Sequence, residues 1–221
     1  MTPLFIVLEG IDGSGKTTQA QQLLNYFNQQ GQGAQLSPEP TAGPVGQLLR
    51  QWLTAGNLPF AGSQLAERQM GYLFAADRHF HVFNSQDGIL KTLHQDHCHV
   101  ITPRYYFSSL AYNAHQPEDW DFIERLNQDF PPPDLLIYLD LPVEVALRRI
   151  GDRQQRECYE QVEKLTQVAQ NYQQILSHYP HPQRVIAGGL EPDTIHQQIV
   201  KAITELQNAS YSGEGLPAGQ R

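Results

Sequence analysis

Leu4–Thr18 reads LFIVLEGIDGSGKTT, and its three parts set the architecture of everything that follows. Leu4–Leu8 is an unbroken apolar run, the pattern of a strand buried on both faces of a parallel sheet. Thr17–Gln30 follows as a helix, with Leu23, Leu24 and Phe27 forming an apolar stripe. Between them, Gly10-x-x-x-x-Gly15-Lys16-Thr17 meets the phosphate-binding loop pattern in full. Gly10, Gly13 and Gly15 allow close backbone approaches that a Cβ would block. The loop N–H groups then point at a polyphosphate, helped by the positive end of the helix. Lys16 is spaced to reach the β- and γ-phosphates and the Thr17 hydroxyl to ligate Mg²⁺. Asp12, Ser14 and Thr18 complete the stretch expected to hold a nucleoside triphosphate. A bland strand-to-helix turn has no use for Lys-Thr at that spacing.

The rest of the composition narrows the class. The chain has 221 residues, enough for one α/β domain with a full core, and a formal charge of −8. That charge argues against a general nucleic-acid binder, so anionic substrates must be gripped by a local cluster of cations. Two cysteines, Cys98 and Cys158, suggest no disulfide framework and make a reducing cytoplasm the expected setting. No apolar run approaches a membrane span, and the N-terminus, lacking a basic start, does not read as a signal peptide.

Downstream, Ala34–Ser37 reads as a second strand, followed by a Pro- and Gly-rich loop, Ser37-Pro-Glu-Pro-Thr-Ala-Gly-Pro44. Such loops at carboxyl ends of strands are where α/β folds place ligand contacts, and Glu39 is the only charge in this one. Pro44–Ala55 and Ser63–Phe83 read as helices, and Asp87–Gln95 as a third. Phe74 and Arg78 lie one turn apart and share a face, an arrangement suited to a base and its phosphate, or to a core contact beside an ion pair. Cys98–Thr102 is the expected third strand, with Arg104 at its carboxyl end, Ser108–Ala114 a helix carrying Tyr112, and Asn127–Asp134 a break. Leu135–Asp140 is the fourth strand and Pro142–Ile150 a helix. Arg148, Arg149, Arg153 and Arg156 crowd around Gly151-Asp152, a basic segment suited to closing over transferring phosphates, or a solvated helix face. Glu157–Tyr179, Arg184–Ala187 and Pro192–Gln207 complete a helix, a fifth strand and a last helix. The alternation implies one doubly wound, five-stranded parallel sheet flanked by helices. The expected layout is a single domain over residues 1–207, with the arginine-bearing lid near 148–157 and a frayed tail over 208–221.

Over residues 3–207 the chain resembles the thymidylate kinase family of P-loop nucleoside monophosphate kinases. The residues that carry the resemblance are Phe5–Gln19, PEPTAGPVG at Pro38–Gly46, LFAADR at Leu73–Arg78, RYYFSSLAYN at Arg104–Asn113 and DLLIYLDLPVEVALRRI at Asp134–Ile150. The resemblance implies transfer of the γ-phosphate of ATP, with Mg²⁺, to dTMP, and a homodimer. It implies that Phe74 stacks on thymine, that Arg78 holds the monophosphate or the base, and that Arg104 bridges donor and acceptor phosphates. Tyr112 would pack on the deoxyribose and Asp12 face the acceptor, with Glu39 and Ser108 completing the acceptor site. The phosphate loop holds no arginine, so Arg149, Arg153 or Arg156 would supply that charge from the lid. Two positions depart from the family pattern: Pro103 stands where the family usually has Asp, and Pro38 where it usually has Arg. Two other readings stay open at this point: a deoxynucleoside kinase using Glu39 as base on a 5′-hydroxyl, and a catalytically weakened nucleotide-binding homologue.

Overall fold

In the computed structural model, residues 2–55, 64–151 and 155–212 are described. Five strands, β1 (Phe5–Glu9), β2 (Ala34–Leu36), β3 (His99–Pro103), β4 (Leu135–Asp140) and β5 (Gln183–Ala187), form one sheet in the order β2-β3-β1-β4-β5. All four pairings are parallel. The apolar run of β1 is central and buried at every residue, as a strand covered on both faces must be.

Alternate residues of β1 feed two separate cores. Ile6 and Leu8 pack with Ala20, Leu23 and Phe27 of α1 (Lys16–Gln29) and Ile195, Ile199 and Ile203 of α9 (Pro192–Ser212). Phe5 and Val7 face the other way, onto Phe107, Leu110 and Ala111 of α5 (Tyr106–Asn113) and Val168 and Tyr172 of α8 (Gln155–His178). The remaining helices are α2 (Pro44–Ala55), α3 (Gln64–Phe83), α4 (Ile89–His94), α6 (Pro117–Asn127) and α7 (Val143–Ile150). Because each strand runs the same way, the loops after β1, β2, β3 and β5 gather at one edge of the sheet, where α/β folds bind ligands.

Several boundaries differ from those expected, each for a local reason. No element was expected between Ala114 and the break at Asn127, yet α6 occupies it. Pro117 sits in its first turn, and the Asp119 carboxylate accepts the backbone N–H of Gln116 at 3.0 Å, completing a capping box. Gln116 is not a usual capping residue, which hid the start. Helix α5 begins at Tyr106 and not Ser108, because a carboxylate from β1 supplies its cap, as described below. Helix α9 runs on to Ser212, beyond the Gln207 expected, while residues 213–221 of the expected tail lie outside the described residues.

Strand β3 ends on Pro103, which is paired in register with Leu8. Proline is tolerated there for a specific reason. The N–H groups of Val100 and Arg104 go to β1, at Leu4 O and Leu8 O (2.9 Å each), and that of His99 goes to Gly33 O on the β2 side. The missing N–H of Pro103 therefore faces the β2 side, where the Ser37 N–H still donates to Ile101 O at 2.9 Å and the β2–β3 ladder then stops. Proline thus sits at the end of that ladder and interrupts no bond between β3 and the central β1.

Candidate functional site

The loop after β1 needs its glycines. Gly10, Gly13 and Gly15 have φ of 145°, 79° and 97°. A Cβ on Gly10 would lie 2.7 Å from Leu139 O, and one on Gly13 2.9 Å from Ala146 O, so the loop is pressed against the β4–α7 segment. Lys16 folds back over it: Nζ donates to Gly10 O and Ile11 O at 2.8 Å each. The lysine is buried, and burial together with the charge of Arg104 brings it down to about 7, against the opposing pull of Asp12 and Glu9. Thr17 and Thr18 are exposed on the first turn of α1. A cavity of about 560 Å³ opens here, lined by the loop, Arg104, Arg149, Gly188, Leu190 and Pro192, a size that suits a nucleotide.

Arg104 stands at the lip of β3 with φ of 73°, in the left-handed region that side chains rarely adopt. Strain of this kind collects at functional sites. The guanidinium donates to Ser108 Oγ at 2.9 Å, to a carboxylate oxygen of Asp12, and to the Tyr112 hydroxyl at 3.4 Å, and lies 5.0 Å from the Tyr112 ring centre. The Tyr112 hydroxyl in turn donates to Asp12 Oδ2 at 3.2 Å and accepts the Asp12 N–H at 3.1 Å. Burial raises the Asp12 carboxyl, but Arg104, Lys16 and Tyr112 outweigh it and hold it below its ordinary range. The structure thus brings Asp12 and Lys16 of the loop after β1 together with Arg104, Ser108 and Tyr112 of the β3–α5 stretch, some 92 residues away for the Asp12–Arg104 pair.

Glu39 and Arg78 also meet, but on each other. The Arg78 guanidinium donates to Glu39 Oε2 at 2.6 Å from Nη2 and 3.0 Å from Nε, and both side chains are at most 3% exposed. Arg78 Nη1 is bound to Asn127 Oδ1 at 2.5 Å. His81 Nδ1 lies 3.0 Å from Glu39 Oε1, and the other ring nitrogen lies 2.6 Å from Ser37 Oγ. One turn along α3, Asp77 takes both the Thr41 N–H at 2.7 Å and its hydroxyl at 2.6 Å. These contacts clamp the loop after β2 to α3. Phe74, one turn before Arg78, is half-buried.

Arg149 lies at the end of α7 and donates from Nη1 to Gly13 O at 3.2 Å, so this arginine of the expected lid reaches the loop after β1. Arg153 and the side chain of Arg156 lie outside the described residues. Among the described residues no group of three or more His, Cys, Asp or Glu gathers as a metal site.

Sequence reasoning missed the carboxylate beneath this cluster. Glu9 ends β1 and is 1% exposed. Its Oε1 accepts the N–H groups of Tyr105 at 2.7 Å and Ser108 at 3.2 Å, which are the N-cap and third residues of α5. Glu9 is thus a helix cap delivered from another strand, at the end where the helix dipole favours an anion. The one available signal was a lone charge closing an otherwise apolar strand. Tyr172, which binds the same carboxylate from α8, gave no signal at all.

A family model described as thymidylate kinase matches residues 8–199. Among curated relatives, a probable thymidylate kinase of Thermococcus kodakarensis is 34% identical over 206 residues, covering 92% of this chain and 98% of its own. One of Pyrococcus horikoshii is 37% identical over 204 residues, 92% of this chain and 97% of its own. One of Methanococcus aeolicus is 39% identical over 173 residues, 78% and 79% of the two chains.

Proposed function

The chain belongs to the thymidylate kinase family, and from that premise we propose that it transfers the γ-phosphate of ATP to dTMP, giving dTDP and ADP. The observation that carries the reading is that Lys16 and Arg104 line one cavity with Asp12 between them. A triphosphate on the loop and a monophosphate beside Arg104 would then face each other.

The chemistry needs positioning and charge more than a base, because the acceptor phosphate is already a nucleophile. Lys16 and the loop N–H groups hold the donor's outer phosphates. Arg104 spans the transferring and accepting groups, and Arg149, already against Gly13 O, supplies charge as it develops. Arg153 and Arg156 are assigned the same task in the lid. Tyr112 packs beside the sugar, and Phe74 offers its face to the base. Arg78, tied to Glu39 and Asn127, forms the floor beneath the base rather than a free anchor for the phosphate. The exposed Thr17 hydroxyl, with phosphate oxygens and water, fits Mg²⁺, a hard ion that is commonly held by few protein oxygens; when bound it would neutralise charge between the phosphates. Glu39, on which a deoxynucleoside kinase would rely for its base, is buried and engaged by Arg78 and His81, which does not support that alternative.

The test is coupled ADP release with ATP and Mg²⁺ against dTMP, dUMP, dCMP and thymidine. Turnover with dTMP well above thymidine supports the reading; turnover with thymidine alone, or none with any acceptor, defeats it.

A homodimer is proposed from a stripe on α3. Leu65, Tyr72, Phe80 and Phe83 recur on one helical face and are 63%, 58%, 43% and 43% exposed, beside Leu53 of α2 at 50%. Light scattering after gel filtration should give twice the monomer mass, and Leu65→Glu with Tyr72→Glu should halve it; a wild-type monomer sinks the proposal. No helix among the described residues is long and apolar enough to cross a membrane. A cytoplasmic setting accompanies the proposed activity.

A further inference from the structure

Tyr172 lies on α8, is 1% exposed, and packs its ring at 5.0 Å against that of Tyr138 in β4. Its hydroxyl is 2.7 Å from Glu9 Oε2 and 3.0 Å from Ser108 Oγ. Ser108 Oγ is itself 2.7 Å from the same Glu9 oxygen and receives Arg104 Nη1 at 2.9 Å.

We propose that Tyr172 is a positioning residue for phosphoryl transfer: with Glu9 it fixes the Ser108 hydroxyl as the acceptor that holds the Arg104 guanidinium. The proposal rests on the reading of Arg104 as the group that contacts the transferring phosphates.

Proton counting gives the network its direction. An ionised carboxylate only accepts, and each hydroxyl has one proton to donate. Glu9 Oε1 is filled by two backbone N–H groups. Both hydroxyl protons, from Ser108 and Tyr172, therefore go to Oε2. Ser108 Oγ is left only its lone pairs, and Arg104 donates to one of them. Burial and the neighbouring Glu9 push the Tyr172 hydroxyl well up, so it keeps the proton that it donates. With four donors on it, the buried carboxylate has no strong demand for a fifth. Arg104 is then held one residue away, with Nη2 directed at Asp12 and Tyr112. Remove the Tyr172 hydroxyl, and a buried carboxylate with an unspent lone pair sits one hydroxyl away from the Arg104 guanidinium, whose Nη1 is held there by Ser108 Oγ. Arg104 is drawn inward, away from the cavity.

Position 103 sharpens the point. With proline there, no carboxylate neighbours Arg104 along the strand, and Glu9 is the buried anion beside it. Glu9 is too enclosed, and its oxygens too fully bound, to serve as a metal ligand, so its service is through Ser108 and Arg104.

Tyr172→Phe keeps the ring and its packing and removes only the hydroxyl. It should lower kcat for dTMP about tenfold, short of the hundredfold that a 1 Å misplacement costs, with KM for ATP unchanged. The decisive measurement is a double-mutant cycle with Arg104→Lys. If Tyr172 acts through Arg104, Tyr172→Phe should cost less than about twofold once Arg104 is lysine. A loss of the same size in both backgrounds, or a silent Tyr172→Phe in the wild type, overturns the proposal. If Arg104→Lys alone is silent, it is the reading of Arg104 that fails, and the positioning role falls with it. Should Tyr172→Phe not fold, as judged by circular dichroism, Ser108→Ala enters the same cycle with the same expected non-additivity.

Discussion

Replacing Lys16 by alanine is expected to lower kcat for ADP release with ATP and dTMP by about 10²–10³-fold, the usual cost of deleting one pre-aimed donor at a developing charge. The size follows from where the ammonium sits. It is buried, it is anchored by Gly10 O and Ile11 O, and it is thereby held inside the loop rather than free to sample solvent. A substituted side chain elsewhere cannot occupy that point, because Arg104 is tied to Asp12, Ser108 and Tyr112. The fold should survive, since α1 packs through Ala20, Leu23 and Phe27 and not through Lys16. Steady-state kinetics beside a circular-dichroism melt separates the two effects. Activity within threefold of wild type, in a protein that melts normally, would remove the basis for the whole functional reading.

The second large effect is on stability. Glu39→Ala leaves the Arg78 guanidinium buried with its main counter-charge gone, and breaking a buried pair in this way costs about 3–5 kcal/mol. For a domain of this size that corresponds to a fall in Tm on the order of 10 °C. The clamp on the loop after β2 loses a partner at His81 as well. Acid should reproduce the effect in the wild type. Burial alone would raise the Glu39 carboxyl, but Arg78 and His81 together hold it below its ordinary 4.5. Its stabilising contribution is therefore complete above that ordinary value and is lost as pH falls through the lower folded-state value. Thermal melts at neutral pH decide the matter: a Tm for Glu39→Ala within about two degrees of wild type would mean that Arg78 finds a partner other than the carboxylate.

Much of the fold was legible because its signals are local. The five strands and the helices that alternate with them appear in the sequence as apolar runs and stripes, and α2 matched at both ends. Helix α6 was not legible, since its start depends on Gln116 acting as cap with Asp119 and its packing on Phe122 and Ile123 meeting other helices. The phosphate loop was legible residue by residue, because its spacing is itself the geometry. The surroundings of Arg78 were less so. Phe74 and Arg78 share a face as expected, but nothing in their spacing says that Arg78 turns inward to Glu39, 39 residues away in the chain. The place of Pro103 in the sheet was equally hidden, since it depends on its backbone nitrogen facing the side where the β2–β3 ladder stops.

By itself, then, the sequence determined the parallel sheet, the glycine-rich loop between β1 and α1 and the family to which the chain belongs, because periodicity and short-range spacing encode all three. The tertiary structure alone decided how charge is distributed around that loop. It paired Glu39 with Arg78, set Asp12 against Arg104, and buried Glu9 beneath Ser108 and Tyr172. The physical reason is that a buried charge must find its hydrogen bonds wherever the fold brings donors, and those donors come from residues separated by 39, 92, 99 and 163 positions.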